Sequence, residues 1–148
     1  MVRRGEGIFR LAAIDLDGTL LRPDGALSER SRVALARARA ADMRIVLVTA
    51  RGPRSVRRVA AEAGLDGSAI CSNGAIVLDL ASGEVVRTRL LGPQVAARLV
   101  TELRTRLPGI LFGVECESFA HEEGFAAWNW TRLPVTRLTR TSWQGRCP

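Results

Sequence analysis

The chain has 148 residues, of which 47% are hydrophobic and 25% charged, and its formal net charge is +7. This length suits one domain, or one domain with part of another, and the composition is that of a globular protein able to bury a core. No apolar run approaches the roughly 20 residues of a membrane-spanning helix, and no apolar secretory segment follows the amino terminus. We therefore expect a cytoplasmic protein that does not enter a membrane.

The positive charge comes from arginine alone. All 22 basic residues are arginines, and they are scattered over the faces of predicted helices. Aromatic residues make up only 5% of the chain and do not alternate with the arginines, as a platform for single-stranded nucleic acid would require. We expect no nucleic-acid partner, although the charge should attract small anionic substrates.

The first predicted element is a buried strand over residues 8–14, an apolar run that ends on two carboxylates and a glycine turn. In a strand, Asp15 and Asp17 point to the same side and Leu16 points to the other. Like charges so close together need a cation or hydrogen bonds to stay ionised, and Mg²⁺, which binds one or two carboxylates, is the natural partner. The same pattern also occurs in ordinary turns, whereas Gly18 comes too early for an EF-hand calcium loop.

A helix is predicted next, from about Glu29 to Ala41, with Ser28 as its N-cap. Its apolar stripe is expected to contain Val33, Ala36 and Ala40. A second buried strand follows over residues 44–49, so the order strand, helix, strand predicts a βαβ unit in a parallel sheet. Ligands of such sheets bind beyond the carboxyl ends of the strands, which is where Asp15 and Thr49 both fall.

The loops that follow the second and third strands supply further candidates. Arg51 would either contact a substrate or cap its loop. A second helix is predicted from Pro53 until Gly64 ends it, and a third short strand over residues 68–71. Asn73 would then face the same edge of the sheet, or else belong to a plain Asn-Gly turn.

The second half of the chain has a different pattern. Residues 76–80 and 85–90 predict a hairpin, and residues 110–115 a further strand. Between them Pro93 opens a helix with apolar residues at i, i+4, i+8 and i+12, namely Val95, Leu99, Leu103 and Leu107. His121 lies alone in a polar stretch predicted to be a turn, and we interpret it as exposed rather than as a metal ligand. Three aromatic residues are assigned to a core or a pocket wall: Phe125, Trp128 and Trp130.

Three segments resemble the haloacid dehalogenase superfamily, and in particular its Cof-type sugar phosphatases. They are Asp15-Leu16-Asp17-Gly18-Thr19-Leu20, Thr49-Ala50-Arg51 and Cys71-Ser72-Asn73-Gly74-Ala75. The resemblance implies an α/β fold with a Rossmann-like parallel sheet. This chain would hold part of that core in residues 1–80, part of an α+β cap in residues 81–138 and an irregular tail in residues 139–148.

The resemblance also implies a role for each site residue. Asp15 would be the nucleophile that accepts a phosphoryl group, Asp17 the general acid and base, and both would contribute to a Mg²⁺ site. Contacts to phosphate and substrate would come from a further set: Gly18, Thr19, Thr49, Arg51 and Asn73. The expected activity is Mg²⁺-dependent hydrolysis of small phosphomonoesters, such as sugar phosphates, through an aspartyl phosphate.

Two parts of the family's catalytic machinery have no counterpart in this sequence. The family carries a lysine and a late Gly-Asp pair after the cap, whereas this chain has no lysine and no aspartate after Asp79. We therefore expect a truncated phosphatase of reduced activity, with an exposed sheet edge through which chains would self-associate. The alternative is a non-catalytic α/β fragment or interaction module that lacks half of the active site.

Overall fold

The computed structural model describes residues 9–115 and 119–125, together with the backbone of a strand at 136–138. The chain divides into two compact units, residues 1–89 and 90–148. The elements of the first unit are, in order, β1 (Leu11–Asp15), α1 (Glu29–Ala40), β2 (Arg44–Val48), α2 (Pro53–Ala63), β3 (Ser68–Cys71), β4 (Ile76–Asp79) and β5 (Val85–Thr88).

The five strands of the first unit form one sheet in the order β1-β2-β3-β4-β5. β1, β2 and β3 are parallel, whereas β4 and β5 are antiparallel to their neighbours. The predicted α/β class and the predicted β4–β5 hairpin are therefore confirmed, and the sheet is mixed rather than wholly parallel. Because β5 pairs with β4, this sheet extends to Thr88, and the assignment of residues 81–138 to a cap stays a prediction.

The predicted helix ends are confirmed. The Ser28 hydroxyl accepts a hydrogen bond from the Ser31 backbone N–H at 3.0 Å and so caps α1. Pro53 occupies the first turn of α2, where its missing N–H costs nothing, and Gly64 ends that helix in the left-handed conformation with φ of 64°. Arg39 of α1 then bonds the Gly64 carbonyl and pairs with Asp66 at 2.7 Å, which ties the two helices together.

The core of the first unit lies on one face of the sheet. Leu47 and Ala69 are register neighbours on β2 and β3, Leu78 of β4 continues the row, and all three side chains are fully buried. α2 covers apolar surface with Val56 and Val59, which are also buried. The burial of these side chains, worth roughly 1.5–3 kcal/mol each, supplies the main stabilisation of the unit.

Two expectations about this core are wrong. β1 was expected to be buried, but it is an edge strand among the described residues, and Leu11 is 53% exposed. The stripe predicted for α1 is also wrong, because Val33, Ala36 and Ala40 are all exposed. The helix instead turns Leu35 inward, with Ala38 half-buried beside it. With so much alanine and arginine in α1, apolar spacing alone does not identify the face that the sheet covers.

The second unit contains α3 (Pro93–Arg106), β6 (Gly113–Glu115), β7 (Phe119–Glu122) and β8 (Thr136–Leu138). Its sheet has the order β6-β7-β8, with β6 antiparallel and β8 parallel to β7. The predicted helix is present, but its apolar stripe is not the buried face. Val100 is buried, whereas four stripe residues are 36–53% exposed: Val95, Leu99, Leu103 and Leu107.

His121 lies on β7, so its assignment to a polar turn is wrong. Its ring lies 5.7 Å from that of Phe119 and 5.7 Å from that of Phe125, measured between centroids. The half-buried Phe119 and Phe125 rings crowd Gly113 on β6, where a Cβ atom would come within 2.9 Å of Phe119. Phe125 thus belongs to an aromatic cluster, while Trp128, Trp130 and the tail at residues 139–148 lie outside the described residues.

The described part of the chain contains no helix long and apolar enough to cross a membrane.

Candidate active site

The turn after β1 separates apolar anchors from polar groups. Leu16 is fully buried and Leu21 is 3% exposed, whereas Asp15 and Asp17 face outward. The Leu21 N–H donates to the Leu16 carbonyl at 2.8 Å, and Gly18 has φ of 73°, a left-handed conformation that glycine adopts without strain. The burial pattern follows the alternation predicted from the sequence, with Leu16 turned inward and both carboxylates exposed.

Asp15 ends β1 with its carboxylate exposed. The Thr19 hydroxyl donates to Asp15 Oδ2 at 3.1 Å, across the turn. The other oxygen, Oδ1, has no hydrogen-bond partner among the described residues. Thr19 thus fixes the orientation of the carboxylate while one oxygen stays available to a ligand or to an electrophile.

Thr49 lies beside Asp15 at the same edge of the sheet. Asp15 is the register partner of Val48, and Thr49 is the next residue along the chain. The Thr49 side chain is only 4% exposed, and its Oγ1 accepts a hydrogen bond from the Arg51 backbone N–H at 3.1 Å. Its own O–H has no acceptor among the described residues, so it can donate to an anion placed between the two strands.

Arg51 forms a two-pronged ion pair with Asp17. Arg51 Nε lies 3.1 Å from Asp17 Oδ1 and 2.9 Å from Oδ2, and Nη2 also bonds Oδ1. On the opposite side of the guanidinium, Nη1 donates to the Ser55 hydroxyl at 3.3 Å. The two sequence alternatives for Arg51 were a substrate contact and a loop cap, and in this structure its side chain binds the predicted acid and base.

This ion pair sets the protonation of both groups. Hydrogen bonding from Arg51 lowers the pKa of Asp17, against a smaller opposing effect of burial. The pKa of Arg51 is raised, chiefly by the same hydrogen bond. Asp17 is therefore a carboxylate at neutral pH while the pair is intact, which suits a proton acceptor and disfavours a proton donor.

The loop after β3 packs against the Thr49–Arg51 segment. The Asn73 N–H donates to the Thr49 carbonyl at 3.3 Å, and the Ser72 N–H donates to the Arg51 carbonyl at 3.0 Å. Ser72 and Asn73 both have positive φ, 50° and 55°, within a short 3₁₀ turn at Ser72–Gly74. The Asn73 backbone therefore supports the site loop, and the role of its exposed side chain in binding substrate stays a prediction.

The donor groups fit a hard cation only loosely. Asp15 offers one free carboxylate oxygen, whereas both oxygens of Asp17 are bonded to Arg51. Nowhere in the described ranges do three histidine, cysteine, aspartate or glutamate side chains gather closely enough to hold a metal. Such a set suits an ion that keeps most of its water, as Mg²⁺ does, and does not form a closed site.

The sequence model of the haloacid dehalogenase-like hydrolases matches residues 12–126, which include both carboxylates, Thr49 and the loop after β3. The chain belongs to this family. It is 31% identical, over 137 residues, to the pyridoxal phosphate phosphatase YbhA of Escherichia coli, covering 89% of this chain and 50% of that protein. The chain thus spans about half the length of this curated relative.

Solved structures of haloacid dehalogenase-like hydrolases have the same fold. One from Bacteroides thetaiotaomicron gives a TM-score of 0.73 at 21% identity, over 88% of this chain and 52% of that one. A HAD/COF-like hydrolase from Plasmodium vivax gives 0.63 at 21% identity, over 78% of this chain and 43% of that one. The predicted superfamily is confirmed, and the α/β fold is that of the family.

Within this family fold, two contacts of the site were missed by reasoning from the sequence. The Arg51–Asp17 pair joins residues 34 positions apart, and although Arg51 was a site candidate, the sequence contains no signal that makes Asp17 its partner. The bond from Thr19 to Asp15 spans only four positions, and an Asp and a Thr on either side of a glycine turn gave a local indication of it.

Proposed function

We propose that this chain carries the phosphoryl-accepting part of a phosphomonoester hydrolase. The observation that carries the proposal is the position of Asp15, an exposed carboxylate with one free oxygen, at the end of β1 and next to the end of β2 that carries the buried Thr49. Carboxylate nucleophiles split a difficult hydrolysis into two easier displacements. Family membership supports this chemistry, and the relative named above acts on a phosphate monoester.

In the first displacement, a free oxygen of Asp15 forms a bond to phosphorus and the bond from phosphorus to the ester oxygen breaks. The departing alkoxide takes a proton from the protonated form of Asp17, which requires that Asp17 has first left Arg51 and taken up a proton. The Thr49 hydroxyl donates a hydrogen bond to one phosphoryl oxygen. Gly18 allows the backbone to approach the other phosphoryl oxygens. In the second displacement Asp17 takes a proton from water, whose oxygen bonds to phosphorus as the bond to Asp15 breaks.

We propose Mg²⁺ as the cofactor, held by Asp15 and Asp17 and otherwise by water. When bound, such an ion screens the charges of the carboxylates and of the phosphate from one another. The free Oδ1 of Asp15 supports this assignment, whereas Asp17 would first have to leave Arg51. Because so few protein groups take part, we expect weak binding, with millimolar rather than micromolar Mg²⁺ required.

The substrate we propose is a small phosphorylated metabolite. The general resemblance to Cof-type enzymes favours sugar phosphates, and the relative from Escherichia coli makes pyridoxal phosphate the second compound to test. Neither a nucleic acid nor a membrane is proposed as a partner.

The alternative proposal is a non-catalytic module. Two observations favour it: the sequence contains no lysine, and its described residues bring no three metal-ligating side chains together. On this reading the site would bind an anion without turning it over, since the charge that stabilises the transition state would be incomplete.

The deciding experiment combines turnover with ligand-induced stability. The 148-residue chain with Mg²⁺ should hydrolyse p-nitrophenyl phosphate, and Mg²⁺ with beryllium fluoride, which mimics a phosphoryl group on a carboxylate, should raise its melting temperature. The same mixture should not stabilise the Asp15→Asn protein. Stabilisation without turnover would favour the non-catalytic module. The absence of both turnover and stabilisation would contradict both proposals.

A further inference from the structure

The ion pair between Arg51 and Asp17 has a geometry that conflicts with the proposed role of Asp17. A general acid must direct one carboxyl oxygen at the leaving group. Here both oxygens of Asp17 accept hydrogen bonds from one guanidinium, at 2.9 and 3.1 Å from Nε, so Arg51 determines where the carboxylate points. Asp17 therefore cannot reorient towards a substrate without breaking its bonds to Arg51.

Arg51 is the more firmly held member of the pair. Its side chain is 19% exposed, against 57% for Asp17. Its guanidinium is bonded to the Ser55 hydroxyl, and its own backbone N–H and carbonyl bond Thr49 and Ser72. The guanidinium is thus fixed in the loop that also carries Thr49, the residue proposed to bind a phosphoryl oxygen.

A phosphate group competes well for such a guanidinium. The planar fork of N–H donors binds phosphate oxygens and carboxylate oxygens with the same two-pronged geometry. A phosphomonoester carries up to two negative charges where Asp17 carries one, and it would approach from the Thr49 side of the same loop. An exposed carboxylate is the weaker competitor because water readily replaces the arginine around it.

We propose that Arg51 is a positioning residue that holds Asp17 before substrate binds and exchanges it for the phosphoryl oxygens of an incoming phosphomonoester. The exchange releases Asp17 to rotate towards the leaving group, so substrate binding itself frees the acid. This inference rests on the proposed function in taking phosphate as the ligand. In this proposal Arg51 leaves Asp17 for phosphate when substrate binds. If the pair were only a structural bridge between the two loops, Arg51 would stay bonded to Asp17.

A double-mutant cycle on anion affinity separates these two cases. The probe is inorganic phosphate, titrated without metal into the full chain and into the Asp17→Asn, Arg51→Gln and doubly substituted proteins. If Arg51 is shared, Asp17→Asn tightens phosphate binding both by removing a repelling charge and by freeing the guanidinium. In the Arg51→Gln background only the first effect remains, so the tightening should be smaller by about threefold to tenfold.

The control is Arg58→Gln. Arg58 lies on α2, the helix that follows the Arg51 loop, and pairs only loosely with Glu62, at 4.0 Å, so this change removes one positive charge without touching Asp17. It should leave the effect of Asp17→Asn unchanged. As a second readout, the NMR signal of the Arg51 Nε–H group, identified by its loss in Arg51→Lys, should shift as phosphate is added to the wild-type chain.

Three results would overturn the inference: equal tightening by Asp17→Asn in both arginine backgrounds, an Arg51 signal that phosphate does not move, and no phosphate binding by the folded wild-type chain. The phosphatase proposal is judged separately, by turnover of p-nitrophenyl phosphate with Mg²⁺. If the protein turns over substrate but the double-mutant cycle is additive, the proposed exchange at Arg51 is wrong and the phosphatase proposal stands. If the cycle is non-additive but there is no turnover, the exchange stands and the phosphatase proposal is wrong.

Discussion

The two units of this chain use apolar residues differently. In the first unit α2 buries Val56 and Val59, and the site at the end of β1 is built over the fully buried Leu16. In the second unit α3 buries Val100 but leaves a stripe of leucines, including Leu99, largely in solvent. The same helical spacing thus accompanies a covered face in one unit and an uncovered face in the other. The difference teaches that periodicity predicts a helix, whereas burial depends on which other elements are present to cover it.

The largest expected difference between the units is catalytic. Asp15→Asn keeps the shape of the side chain but removes the nucleophile, so we predict that turnover of p-nitrophenyl phosphate falls by at least about a thousandfold. The matched control in the same unit is Asp42→Asn, at an exposed position with φ of 58° that asparagine tolerates well. In the second unit, Glu102→Gln removes an exposed carboxylate of α3. Equal losses in all three proteins would contradict a site confined to the first unit.

The next largest effect is on stability. Leu47→Ala removes a fully buried side chain from the central strands of the first unit, and we expect it to lower the free energy of unfolding by about 2–5 kcal/mol. Leu99→Ala makes the same chemical change on α3, where the side chain is 42% exposed, and should cost less than about 1 kcal/mol. Urea unfolding followed by circular dichroism measures both. A cost for Leu99→Ala that matches Leu47→Ala would show that the stripe is covered in solution.

A smaller effect is expected from the one buried acidic side chain of the described second unit. Glu122 is 5% exposed, pairs with Arg104 and accepts the Phe112 N–H at 3.2 Å. Glu122→Gln should destabilise the protein by about 1–3 kcal/mol, because Arg104 loses its ionic partner while remaining half-buried. The exposed pair of Arg98 with Glu102 is the comparison, and Glu102→Gln should change stability by less than about 0.5 kcal/mol. Equal costs would mean that burial does not matter for this pair.

The smallest effect is a pH dependence in the β4–β5 hairpin. Hydrogen bonds from the backbone N–H and the hydroxyl of Ser82 lower the pKa of Asp79. A carboxyl whose pKa is lower in the folded than in the unfolded state contributes stability above the unfolded pKa and loses it as the pH falls through the folded one. Asp79→Asn should therefore reduce the loss of stability between about pH 5 and pH 3 slightly. An unchanged acid profile in thermal melts would contradict these hydrogen bonds.

Local patterns in the sequence predicted much of the first unit correctly. The N-cap Ser28, the helix-ending Gly64 and the strand at 68–71 each depend on chemistry within a few residues, and all three are confirmed. The alternation of Asp15, Leu16 and Asp17 has the same local basis.

What the sequence did not predict depends on distant partners. Arg51 meets Asp17 only because parallel pairing brings the ends of β1 and β2 together, and no spacing rule indicated that these two candidates would pair. His121 was assigned to a turn because its neighbours are polar, yet pairing with β6 and β8 makes the segment a strand. The exposed stripe of α3 was unpredictable for a similar reason, since the elements that would cover a face are not encoded in its own periodicity.

The central claim is that Asp15 accepts a phosphoryl group, and trapping that intermediate tests it most directly. Hydroxylamine added during turnover of p-nitrophenyl phosphate with Mg²⁺ converts an aspartyl phosphate into a hydroxamate, which peptide mass spectrometry can locate. We predict one hydroxamate, on Asp15, and none in the Asp15→Asn protein. A hydroxamate on Asp17, or measurable turnover with no hydroxamate at all, would contradict the account.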